Sequence, residues 1–264
     1  MLTPHRKQAY AMFAIGGLVL VAILAAFAYE RGKPKPDQNG CLGSGTRKTV
    51  IIIDHTDGVA AQTQEAIVDR AVTFVAEHVH VGELVSLFVV DDASRQSLTN
   101  RFSRCKPKSD GNPLIEDPEA NKRAARKVFE EPLRGILNAP VGQARESAIA
   151  ESLIDLSRTR YLRATESARL VLFSDLQQNT KALRIPRCDN AEEGIQQFRD
   201  ARKGAVERPE FRNVAVYLNI VPRSNLTRAN LQCRDRFWQW FFGDNEGPGA
   251  TLVPDYLPGG SAIP

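Results

Sequence analysis

Thr49-Val50-Ile51-Ile52-Ile53-Asp54-His55-Thr56-Asp57-Gly58 is the stretch on which the rest of the chain turns. A short run of β-branched apolar residues reads as a buried strand. It ends in oxygen-bearing side chains and a glycine. Ligands of an open α/β sheet sit just past the carboxyl ends of its strands. Asp54 and Thr56 therefore stand where a functional group would stand.

Downstream, Ile67, Val68, Ala71, Val72, Phe74 and Val75 form a helical stripe within 61–78. Gly82 marks a turn, and Leu84 to Val90 is a second strand closed by Asp91-Asp92. A third strand at about 96–104 follows a short link, which makes it an antiparallel neighbour of the second. Residues 106–118 are a loop, and 119–137 a charged helix that Pro132 breaks or kinks. After a loop at Gly142 to Arg145, a helix runs from Ser147 to Arg158. Arg169 to Phe173 is the next buried strand and ends in Ser174-Asp175. Helix 190–202, strand Val214 to Val221, stopped by Pro222, and an aromatic helix Leu226 to Phe242 complete the domain. The alternation predicts an α/β fold: a doubly wound, mostly parallel sheet with one antiparallel strand and helices on both faces. The tail 243–264 is irregular, with a short edge strand near Thr251 to Val253.

Upstream, residues 1–8 are polar and carry Arg6 and Lys7, and Ala9 to Tyr29 holds no charge. About twenty apolar residues span a bilayer as a helix, whereas the apolar core of a signal peptide runs roughly 7–15. A transmembrane helix at 9–29 is expected, with a cleaved signal ending at Ala26-Phe27-Ala28 as the other reading. Residues 30–46, with Pro34, Pro36, Gly40, Gly43 and Gly45, are a tether. Basic residues flank the run on both sides, so charge alone does not orient it. The cysteines do: Cys41, Cys105, Cys188 and Cys233 form no CxxC pair and fit two disulfides in an oxidising compartment. The tail is expected in the cytoplasm and the domain on the periplasmic or extracellular side. The 264 residues are 42% hydrophobic and 25% charged, with a net charge of +4. That balance allows one sizeable domain plus an appendage and gives no basic stripe for nucleic acid.

Loops distant in sequence converge on one rim. The first gives Asp54, Thr56 and Gly58; the second gives Ser147; the third gives Asp175. All are hard oxygen donors, which suit Mg²⁺ first and Mn²⁺ or Ca²⁺ as alternatives. The strand followed by Asp54-His55-Thr56-Asp57-Gly58, the helix led by Ser147-Ala148-Ile149-Ala150, and Leu170-Val171-Leu172-Phe173-Ser174-Asp175 together resemble the von Willebrand factor type A domain over about residues 47–242. The resemblance implies a Rossmann-like sheet ordered 3-2-1-4-5-6. It also implies a divalent ion held by Asp54, Thr56, Ser147 and Asp175, with an acidic residue of a protein partner completing the ion's shell. Two positions depart from the pattern. Gly58 replaces a serine of the Asp-x-Ser-x-Ser turn, and Leu176 replaces the glycine after Asp175.

In that topology Cys41 and Cys105 lie at the bottom of the sheet, and Cys188 and Cys233 at the top. The expected pairs are Cys41–Cys105 and Cys188–Cys233. Several residues take structural readings: Asp91-Asp92 caps a turn, and His78 and His80 are a surface pair. Phe237, Trp238, Trp240, Phe241 and Phe242 pack the last helix, with some left over for a partner surface. His55 has the side chain that titrates nearest neutral pH.

The expected function is a membrane-tethered module that docks a protein partner through a divalent ion. Enzymatic activity is not expected, because the chain has no Ser-His-Asp order and no activated cysteine. A metal-independent scaffold of an envelope, secretion or conjugation assembly is the alternative. A phosphatase-like hydrolase with Asp54 as phosphoryl acceptor is a remote one, since its later acidic motif is out of order.

Overall fold

The computed structural model of the protein describes residues 4–32, 35–43, 47–91, 98–111, 117–139, 144–163, 166–211, 213–243 and 251–257. Asp92, Gly45 and Gly142 lie outside these residues. The chain divides into two units, Met1–Asp37 and Gln38–Pro264.

The first unit is one helix, α1 (Pro4–Gly32). It takes in most of the stretch expected as a polar tail, and proline is at home in a first helical turn. Phe13, Leu18, Leu24 and Phe27 stand exposed on it. Among the described residues no helix is long and apolar enough to cross a membrane. The stretch 9–29 is thus found as a helix and is not established as a span. Its polar ends carry Arg6, Lys7, Glu30 and Arg31.

The second unit is a six-stranded sheet with helices on both faces. In chain order come β1 (Arg47–Asp54), α2 (Ala61–His78), β2 (Leu84–Val90), β3 (Leu98–Cys105), α3 (Pro118–Ala125), α4 (Glu131–Leu137), α5 (Ile149–Ser157), β4 (Ser167–Ser174), α6 (Ala191–Ala201), β5 (Val214–Ile220), α7 (Arg228–Gly243) and β6 (Thr251–Tyr256). The sheet order is β3-β2-β1-β4-β5-β6, the order the resemblance implies. Only β3 runs antiparallel, against β2. β6 continues the parallel sheet beside β5 and carries Pro254, which an edge strand tolerates. The sheet unit therefore extends past residue 242 to Leu257, and the tail is not wholly irregular.

β1 lies at the centre because both of its faces are apolar. Val50 and Ile52 pack with α5, α6 and α7, while Ile51 and Ile53 pack with α2 and α4. All four are at most 1% exposed, and each stabilises by roughly 1.5–3 kcal/mol. The expected helix 119–137 is three pieces, with a π-helical turn at Arg126–Glu130 between α3 and α4. Pro132 explains the widening, since it lacks the N–H that would close the regular ladder.

Both expected disulfides are present, Cys41–Cys105 and Cys188–Cys233. The first holds the chain before β1 against the end of β3, where Cys105 N also donates to Asn39 O at 2.9 Å. The tether is thus shorter than 30–46, because its last described residues belong to the sheet unit. At the amino ends of the strands, Glu83 is 3% exposed. It accepts from Thr49 Oγ1 at 2.5 Å and Arg169 Nη1 at 2.8 Å. One carboxylate thereby joins β1, β2 and β4.

Candidate functional site

The strand order reverses between β1 and β4, the switch point where open α/β sheets bind ligands. Asp54 ends β1, and Asp175 follows the last residue of β4. The two aspartates share one rim because their strands are parallel neighbours.

Asp54 is half-buried and saturated with hydrogen bonds. Its Oδ1 accepts from Thr56 Oγ1 at 2.6 Å and Thr56 N at 3.1 Å. Its Oδ2 accepts from Ser174 Oγ at 2.7 Å. Lost hydration raises its pKa to about 6, and the negative charge of Asp175 adds to the rise. The Thr56 and Ser174 bonds oppose that shift.

Asp175, 4% exposed, is held differently. Its Oδ1 accepts from Gln177 N at 2.9 Å. Its Oδ2 accepts from Gln177 Nε2 at 3.2 Å and from Arg223 Nε at 2.7 Å. Arg223 stands three residues past the end of β5. Its Nη1 donates to Gly58 O at 2.6 Å and its Nη2 to Asp57 O at 3.3 Å. One guanidinium ties the loop after β1 to the loop after β4.

Ser147 does not lead a helix. It pairs with Asn179 through both backbone groups, and α5 begins at Ile149. Its Oγ is buried without a hydrogen-bond partner. Beside it, Ala144 N donates to Thr56 O at 2.8 Å, so this loop also reaches the rim. At the start of α5, Gln178 Oε1 accepts from Ala150 N at 2.9 Å. Leu176 takes φ 60, the left-handed conformation that favours glycine. Ser174 Oγ accepts from Leu176 N, and Leu176 O accepts from Trp238 Nε1 at 2.8 Å.

The donors are of the right kind for a hard dication, but as arranged they do not fit one. Both oxygens of Asp54 already accept hydrogen bonds, and Arg223 already balances Asp175. A dication about 4 Å from a guanidinium is repelled by several kcal/mol even at the effective dielectric of a protein surface.

The residues read as structural are mostly so. Asp91 pairs with Arg101 at 3.3 Å on the surface. His78 lies beside Phe74, with ring centroids 4.9 Å apart. Phe237, Trp238, Phe241 and Phe242 are buried, and Trp240 is half-buried against Phe198. Of the five, Trp240 alone keeps part of its ring exposed, and α6 packs beside α7. His55 is buried with Nε2 unpartnered, and burial lowers its pKa below the ordinary histidine value. It stays neutral at neutral pH instead of switching there.

Arg223, Ser174 and Gln177 were not expected at the rim. Arg223 had one available signal: it lies just past the carboxyl end of a strand, directly after Pro222.

No protein-family model matches the chain, and no curated protein does. Among solved structures, conserved hypothetical protein BatB from Bacteroides thetaiotaomicron matches at 13% identity and a TM-score of 0.36, over 81% of this chain and 91% of that one.

Proposed function

We propose that this protein is a non-catalytic protein-binding module. In this reading the helix Pro4–Gly32 tethers it to a membrane, its sheet unit lies in an oxidising compartment, and a protein partner docks at the carboxyl ends of β1 and β4. One observation carries the reading: hydrogen bonds tie the loops after β1, β4 and β5 into a single rim at the switch point. Both oxygens of Asp54 are engaged in hydrogen bonds. That arrangement speaks against a phosphoryl-accepting aspartate. Exposed apolar side chains along α1 support the tether, and the two disulfides support the compartment. Docking of a partner's acidic residue through Mg²⁺ remains the cation-dependent form of the same reading. The unpartnered Ser147 hydroxyl favours it, and the Asp175–Arg223 pair opposes it.

Site-specific photocrosslinking in cells tests the proposal. A photoreactive residue at exposed Asp57, on the rim, should give a discrete protein adduct. The same probe at exposed Lys127, on the π-helical turn, should not. Equal labelling from both positions, or none from Asp57, would defeat the proposal. An adduct that vanishes with chelator would select the cation-dependent form.

A further inference from the structure

We infer that Arg223 is the resident cation of this rim and takes the place of the divalent ion that the resemblance implies. A metal ion in such a setting would gather oxygens from separate loops and balance the carboxylates. Arg223 does both. Its Nε lies 2.7 Å from Asp175 Oδ2, and its two terminal nitrogens reach the carbonyls of Gly58 and Asp57 at 2.6 and 3.3 Å. The guanidinium is a rigid fork of N–H donors with a permanent charge, so it can hold several acceptors at once.

The departure at Gly58 and the arrival of Arg223 explain each other. A serine at position 58 would offer its hydroxyl to a metal. Gly58 offers its backbone carbonyl to an arginine instead. Nothing steric forces glycine there: its φ is ordinary, and an added Cβ would meet no atom within 4 Å. The second hydroxyl is dispensable because no ion needs it. The Asp175 carboxylate is almost wholly buried beside an arginine that is one-fifth exposed, so the charge is matched inside the protein and not by a solute.

The inference does not depend on whether the rim binds a protein, and metal titration tests it separately. The full chain in detergent is titrated with Mn²⁺, and the free ion is read by electron paramagnetic resonance. Wild type should leave the Mn²⁺ signal unaltered, and its melting temperature should be the same in Mg²⁺ and in chelator. The Gly58→Ser/Arg223→Ala double variant removes the guanidinium and restores a hydroxyl. It should bind Mn²⁺ at least about tenfold more tightly than wild type and lose that gain when Asp175→Asn is added. Arg223→Gln keeps donors for the two carbonyls without the charge. It replaces Arg223→Ala if the alanine variant does not fold, with the same gain expected. Wild-type Mn²⁺ binding that Asp54→Ala abolishes would overturn the inference. So would a folded variant without Arg223 that binds Mn²⁺ no better than wild type.

Discussion

At Asp54 two forces oppose each other. Lost hydration and the charge of Asp175 favour the neutral acid, while bonds from Thr56 and Ser174 favour the carboxylate. The first pair wins, because the pKa rises to about 6 from an unfolded value of 3.8. The folded state therefore holds this proton more tightly than the unfolded chain. Asp54's contribution to stability is full below pH about 4 and is lost as pH rises through about 6. Asp54→Asn mimics the neutral form. In urea denaturation it should match wild type near pH 4 and exceed it at neutral pH; a parallel pH dependence in both proteins would contradict this. Glu83, at the other end of the strands, is a buried carboxylate paired on several sides. Glu83→Ala leaves Arg169, whose side chain is 19% exposed, without its partner. The expected loss is about 3 kcal/mol in the same assay.

At the level of elements, chemistry at the ends decides more than the apolar periods do. The aromatic helix α7 and the capped helix α6 are neighbours, and the Cys188–Cys233 disulfide fastens the segment before α6 to α7. Gly194, on α6, faces that bond. An added Cβ would lie 2.6 Å from Cys188 Sγ and 3.2 Å from Cys233 Sγ. The cross-linked sulfurs have little freedom to retreat. Gly194→Ala, which raises helix propensity, should therefore still destabilise, by roughly 1–3 kcal/mol. An unchanged or higher melting temperature would show that the disulfide yields. The start of α5 makes a related point. Ser147 looks like a helix leader by residue type, yet the first-turn donor Ala150 N is met by Gln178, 28 residues away. A local pattern could not reveal a partner that distant.

The whole molecule has two parts with different surfaces. The sheet unit buries both faces of its central strands, whereas α1 exposes large apolar side chains. If α1 is the tether, a chain lacking residues 1–37 should keep the Cys41–Cys105 bond and its melting temperature within a few degrees. It should also leave the membrane pellet for the supernatant in fractionation. Retention of the shortened chain in the pellet would assign membrane attachment to the sheet unit.

The sequence by itself determined the strands and their doubly wound alternation with helices; the strand order came from the resemblance, and the two cysteine pairs from placing them in that topology. β-branched runs between helical stripes leave few ways to bury every apolar face, and the right-handed crossover removes most of the rest. Asp54 and Asp175 were legible for the same reason, since each ends a strand that must lie near the centre. Only the tertiary structure decided what those carboxylates face. Arg223 follows β5, and nothing near it in the chain announces Asp175 as its partner 48 residues earlier. Leu176 in a left-handed turn, the bond from Ala150 N to Gln178 and the buried, unpartnered Ser147 hydroxyl are likewise matters of what other elements bring. Strand position follows from the local pattern of burial. The charge balance of a rim follows from which side chains arrive there from elsewhere, and no local pattern encodes that.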